Sequence, residues 1–167
     1  MSELLLIRHA KSDWHSGAQS DWERPLKLRG LHDAPRVAEE LAARTLLPDL
    51  VLSSDAVRAA QTAQCMIERW SPRPELRRCR ELYQASSWGV LSAISEQGAA
   101  ALRVAVVGHN PTLEETLRWL IGREERLTTC NVAVLRSTFA WKDIADSAGA
   151  WRLAALIRPK ELRKNAD

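Results

Sequence analysis

An α/β sandwich with a mostly parallel central sheet is the fold class predicted for this 167-residue chain. Three observations carry that expectation. Continuous apolar runs (Leu4-Leu5-Leu6-Ile7, Leu50-Val51-Leu52 and Val104-Ala105-Val106-Val107) are bounded by polar residues, as strands buried on both faces are. Segments with apolar residues at helical spacing stand between them, and such alternation describes a sheet covered by helices. Two of the runs end directly in a histidine, in Arg8-His9 and Gly108-His109, where ligands collect in open α/β sheets.

The elements follow in order. Residues 3–8 form the first strand and 11–29, rich in Ser, Gly and Asp, a loop. Arg29-Gly30 opens a helix over 31–46, with Asp33 and Pro35 in its first turn, where both are tolerated. Val37, Leu41, Ala42 and Leu46-Leu47 supply its inward stripe, and Pro48-Asp49 breaks it. A strand covers 50–53. Ser54-Asp55 caps a helix over 56–70, with Ala59, Ala60, Ala63, Met66 and Ile67 inward. Ser71-Pro72-Arg73-Pro74 ends that helix, and an extended piece covers 75–83. Ser87 starts a helix over 88–98 terminated by Gly98, a strand spans 103–108, and Pro111 opens a helix over 111–122 stopped by Gly122. Residues 131–137 and 151–157 read as strands, and the last ten residues as frayed.

Composition narrows the class. With 46% hydrophobic and 27% charged residues the chain is expected to form one domain over 1–167. It has no apolar run of membrane-spanning length, and the first strand starts too early for a signal peptide. Cys65, Cys79 and Cys130, odd in number and without a CxxC pair, read as reduced thiols in a cytoplasmic protein, not as a zinc site. A net charge of +3 does not argue for nucleic acid or for a membrane surface. The basic clusters Arg69, Arg73, Arg77, Arg78, Arg80 and Arg158, Lys160, Arg163, Lys164 read as solvated surface, with docking of an acidic protein as the alternative. Most of the seven tryptophans are expected in core or groove packing.

The chemistry is phosphoryl-like. A transferred phosphoryl group spreads negative charge over three oxygens, so its catalysis is positioning plus electrostatics. Guanidiniums match those oxygens and stay charged, and a neutral imidazole can attack in line. Arg8 and His9, Arg58 just past the second strand, and His109 past the later one would converge on one sheet edge. No ligand spacing supports a metal built from His9, Asp13, His15 and His109.

These segments resemble a known family. Arg8-His9-Ala10 is similar to the Arg-His-Gly signature of the histidine phosphatase superfamily, with Ala10 in place of the glycine. Ser53-Ser54-Asp55-Ala56-Val57-Arg58, continuing to Gln61-Thr62, resembles its second motif and Gly108-His109-Asn110 its third. Lys11-Ser12-Asp13-Trp14, Arg24-Pro25-Leu26 and Arg29-Gly30 resemble the small SixA-like phosphohistidine phosphatases. The resemblance implies a phosphoglycerate mutase-like fold and a nucleophilic His9 that is transiently phosphorylated. Arg8, Arg58 and His109 would hold the phosphoryl oxygens without a metal or other cofactor. Ser12 and His15 are candidate substrate contacts, His15 standing in the register where larger relatives carry an asparagine. Glu81 is the candidate general acid by its order between the second and third motifs, against an ordinary exposed carboxylate. Ser54 reads as a helix cap and His32 as a structural residue, while Tyr83 and Trp88 either line the rim or pack in the core. The short span between Arg58 and His109 leaves little room for a lid, which suits a phosphohistidine-bearing protein as partner. A small phosphate ester turned over by the same mechanism, or a phosphate-binding adaptor without turnover, are the alternatives.

Overall fold

The computed structural model describes residues 1–162. The ten main elements are β1 (Ser2–Arg8), α1 (Leu28–Ala43), β2 (Leu50–Ser54), α2 (Val57–Ile67), β3 (Glu75–Cys79), α3 (Ser87–Gln97), β4 (Arg103–Gly108), α4 (Thr112–Ile121), β5 (Val132–Ser137) and β6 (Arg152–Ile157). The strands form one six-stranded sheet in the order β3-β2-β4-β1-β5-β6. The first four in that order run parallel, while β5 and β6 are antiparallel to their neighbours.

Alternation along the buried strands explains the layers. Leu4 and Leu6 of β1, with Val104 and Val106 of β4, pack beneath α3 and α4 against Leu91, Ile94, Leu113 and Leu117. Leu5 and Ile7, with Ala105 and Val107, face the other side and meet Val37 and Leu41 of α1 and Ala59 and Met66 of α2. Successive side chains on a strand point to opposite faces, so a run apolar at every position must be covered twice.

The connection from β1 leads away to β2 on one side, and that from β4 leads to β5 on the other. The crevice between β1 and β4 is therefore the topological switch point, at the carboxyl ends of two paired parallel strands.

Several expected boundaries move. α1 begins at Leu28, so Asp33 and Pro35 lie past its first turn. Gly30 sits inside the helix because it packs on the Lys11 backbone, where a Cβ would stand 2.3 Å from the carbonyl oxygen. The helix ends at Ala43, since Thr45 turns left-handed (φ 59°) and the Leu46 N–H returns to the Leu41 carbonyl. Leu46 is buried from that loop, whereas Ala42 is exposed. α2 is capped at Ala56, not by Ser54-Asp55, and ends at Ile67. Beyond β3 the extended piece gives way to a 3-10 turn, Arg80–Tyr83. Ser86 is the cap of α3, its hydroxyl accepting from the Gly89 N–H. Gly98 and Gly122 close α3 and α4 as expected, the latter with φ 73°.

The expected fraying does not hold for residues 158–162. Pro159–Glu161 form a 3-10 turn and Pro159 is buried. Residues 163–167, with Arg163 and Lys164, lie outside the described residues. Arg69, Arg77 and Arg80 of the basic cluster pair with Glu39, Glu75 and Asp55. Among the described residues no helix is long and apolar enough to cross a membrane. The three cysteines are unpaired thiols.

Candidate active site

His9 and His109 follow directly on β1 and β4, which pair through Arg8 and Gly108. The His9 N–H continues that ladder to the Gly108 carbonyl at 3.0 Å, and the two ring centroids lie 5.3 Å apart. Arg8, His9, Arg58 and His109, with Ser12, line one cleft of about 260 Å³. The sequence-predicted set is thus brought together from three distant segments.

The tautomer of His9 is set by its neighbour. Nδ1 lies 2.7 Å from the Ala10 carbonyl oxygen, which can only accept, so Nδ1 carries the proton and Nε2 keeps its lone pair. Burial pushes the His9 pKa down to about 3, against the opposing pull of the Ala10 carbonyl, and the charges of His109, Arg58 and Arg8 lower it further. Burial therefore does more than the arginines to keep this imidazole neutral. His109 is brought down to about 4 by burial first and Arg58 next, with Asp21 acting the other way.

Ser54 has a larger part than a helix cap. Its hydroxyl oxygen accepts the Ala56 N–H at 3.2 Å and lies 2.8 Å from His109 Nε2. In the tautomer in which the hydroxyl donates to that ring nitrogen, His109 carries its hydrogen on Nδ1. Nδ1 is buried and has no partner among the described residues, and the same holds for Arg8 Nε and Arg58 Nε. In that tautomer three buried N–H donors without partners among the described residues belong to residues of one cleft. Buried donors of this kind are normally satisfied, so the arrangement suits an anion.

The guanidiniums are held firmly. Arg8 donates from Nη1 to the Leu127 carbonyl at 3.0 Å, and Asn110 Nδ2 donates to the same oxygen at 2.9 Å. Arg58 donates to the backbone carbonyl (2.7 Å) and carboxylate (3.0 Å) of Asp21. That carboxylate also accepts from Arg24 Nε at 2.9 Å and from the Tyr83 hydroxyl at 2.9 Å. Burial acts to raise the Asp21 pKa, but the bonds from Tyr83, Arg24 and Arg58 outweigh it and bring it to about 2. Arg24 in turn donates to Ser12 Oγ at 2.7 Å and lies 3.5 Å beneath the ring of Trp14, which is 69% exposed.

The remaining motif residues act as struts. Thr62 Oγ1 accepts the Ala10 N–H at 3.0 Å, and Gln61 Oε1 accepts the Leu26 N–H at 2.8 Å. Ala10 is fully buried in the core, which accommodates its Cβ.

Two candidates stay away from the cleft. Glu81 is exposed on the 3-10 turn and is not among the residues lining the cleft. From that turn it is Tyr83 that reaches the site, its ring 5.7 Å from that of His109. His15 is exposed, its backbone N–H bonded to Asp13 Oδ1. Trp88 stacks edge-on with Trp119. Asp21, Arg24 and Trp14 are cleft residues to which the sequence reading gave no role; nothing in sequence distinguishes Asp21 from the other loop acids. Among the described residues no group of three or more His, Cys, Asp or Glu is gathered for a metal.

Residues 4–86 match the family model of the histidine phosphatase superfamily (branch 1). A structure assigned as phosphohistidine phosphatase SixA from Agrobacterium tumefaciens is 32% identical, with a TM-score of 0.81 over 95% of this chain and 98% of its own. The chain belongs to the histidine phosphatase superfamily. This histidine phosphatase is a hydrolase working through a histidine nucleophile, with the phosphoglycerate mutase-like fold. A second SixA-assigned structure, from Nakamurella multipartitia, is 27% identical with a TM-score of 0.82, covering 95% of this chain and 96% of that one. An Arabidopsis thaliana chloroplast protein is 31% identical over 93% of this chain and 77% of its own length.

Proposed function

We propose that this histidine phosphatase hydrolyses phosphohistidine on a protein, with His9 as the nucleophile. The observation that carries the substrate class is the acid–base inventory of the cleft. Asp21 is the one carboxylate among its lining residues, and with a pKa of about 2 it is ionised near neutral pH and has no proton to give. An alkoxide leaving group without an acid forfeits roughly 10²–10⁴-fold in rate. An imidazole takes its proton from solvent on the ring nitrogen remote from phosphorus and departs without such help. Phosphohistidine suits this cleft better than an alkyl ester does.

The reaction has two steps. His9 Nε2 forms a bond to phosphorus as the P–N bond of the substrate breaks and its imidazole leaves. Water then attacks phosphorus, the P–Nε2 bond breaks, His9 returns neutral, and the water's proton ends on the released phosphate. Arg8, Arg58 and His109 Nδ1–H bind the three equatorial oxygens, and Ser12 and Arg24 support the wall beside them.

Two measurements test this reading. A phosphohistidine protein should be turned over with a higher kcat/KM than common alkyl phosphate metabolites; preference for the metabolites overturns the substrate class and leaves the mechanism. His9→Ala should abolish turnover while phosphate still binds, more weakly. Unchanged turnover removes His9 from its role, and turnover absent from the wild type leaves an adaptor.

A further inference from the structure

Beside the catalytic cleft lies a smaller concavity of about 170 Å³, walled by Lys11, Arg29, Thr128, Thr129, Pro159 and Lys160. Lys11 and Thr129 line both hollows, so the two share a wall. Among the described residues its lining holds three cations and no carboxylate, though Arg29 Nε also lies 3.5 Å from Asp33 Oδ2 on the same helix. A concave surface lined by one sign of charge concentrates counter-ions.

The scaffold brings these three residues to one hollow. The Lys11 carbonyl accepts the Lys27 N–H at 3.0 Å, and Asp13 N–H donates to the Pro25 carbonyl at 2.9 Å. Gly30 lies flat against the Lys11 backbone, which sets Arg29 beside Lys11. From the other end of the chain, buried Pro159 fixes the 3-10 turn that brings Lys160 to the same hollow. The phosphoryl chemistry described above uses neither Arg29 nor Lys160.

We propose that this concavity is a second anion subsite, and that it receives an acidic side chain flanking the phosphohistidine of the substrate protein. The identity of that occupant rests on the phosphohistidine reading; the subsite itself does not. Its effect is on recognition, since the charges act on a group remote from phosphorus. Partly exposed pairs of this kind are each worth roughly a 1.5- to 5-fold change in affinity, so two together give roughly 2- to 25-fold.

The test uses a phosphohistidine peptide with alanine flanks and four versions carrying one glutamate at either of the two positions on each side. A short-diol bisphosphate and its monophosphate, with p-nitrophenyl phosphate as basal substrate, form the small-molecule arm. The wild type should favour at least one glutamate peptide by about 3- to 10-fold in kcat/KM, and 0.5 M salt should erase the gain. Arg29→Gln combined with Lys160→Glu should remove the gain and leave the alanine peptide and p-nitrophenyl phosphate unchanged. Asp33 keeps Arg36 at 3.7 Å when Arg29 is replaced, so α1 retains an ion pair there. Equal turnover of all five peptides, or a gain that survives in the double variant, overturns the acidic-side-chain occupant. A variant-sensitive gain for the bisphosphate alone supports the subsite and overturns the protein source. Failure to hydrolyse any peptide sinks the phosphohistidine reading, and the bisphosphate pair then decides the subsite independently.

Discussion

Lowering the pH from 7 to 5 should destabilise this phosphatase by about 4 kcal/mol, shared between His9 and His109. In the unfolded chain an imidazole takes up its proton near pH 6.5. In the fold His9 resists protonation down to about pH 3 and His109 down to about 4. Between these limits the unfolded chain binds more protons, so stability rises with pH and is lost on acidification. At pH 5 the unfolded imidazole is almost fully charged and the folded one is neutral, which comes to about 2 kcal/mol for each. Asp21 acts in a lower window. Its pKa is held at about 2, so its contribution fades only as pH falls below the ordinary aspartate value of 3.8. Urea unfolding followed by tryptophan fluorescence at pH 7, 6 and 5 measures the slope. His9→Gln and His109→Gln should each lose about half of it. A flat wild-type profile, or a His9→Gln slope equal to that of the wild type, would refute the claim that burial holds these rings neutral. Beyond the substrate's own titration, kcat/KM should correspondingly show no inflection from His9 or His109 above about pH 4.

Ser54→Ala releases His109 from the tautomer that places its proton on Nδ1, and should lower kcat roughly 10-fold with little change in KM, short of the 10²–10³-fold cost of deleting a donor outright. Steady-state kinetics beside a His109→Ala control measures the difference. Trp14→Ala uncovers Arg24 and should raise KM a few-fold while costing about 0.5–1 kcal/mol in a urea melt, with Trp14→Phe restoring most of both. Gly30→Ala forces a Cβ onto the Lys11 carbonyl and should destabilise by about 1–3 kcal/mol, read as a shift in urea midpoint.

Residues that signal by local chemistry were legible in the sequence. The doubly covered strands declared themselves through unbroken apolar runs, and those runs carried His9 and His109 to the same edge. Arg58 was found because its motif follows a strand directly. Asp21 was not, because beyond its neighbour Arg24 its role depends on Arg58 and Tyr83 arriving from two distant segments, a tertiary fact with no local mark. Glu81 looked suitable by chain order, yet a one-turn helix leaves it outward and turns Tyr83 to the cleft. Ser54 satisfied a simple rule for helix starts, but the backbone placed the cap at Ala56, and the Ser54 hydroxyl oxygen accepts the Ala56 N–H while also meeting His109. Gly30 was read as a helix opener, whereas close approach to Lys11 fixes it inside the helix.

Neighbouring strands in a sheet stand about 4.8 Å apart, and the two imidazoles mounted on adjacent strands are 5.3 Å apart. The separation of the two imidazoles thus follows the strand spacing of the sheet. The loop carrying Asp21 and the turn carrying Tyr83 act instead on Arg58, which that spacing does not fix. The imidazole pair is gauged by the sheet, and the guanidinium of Arg58 by a loop.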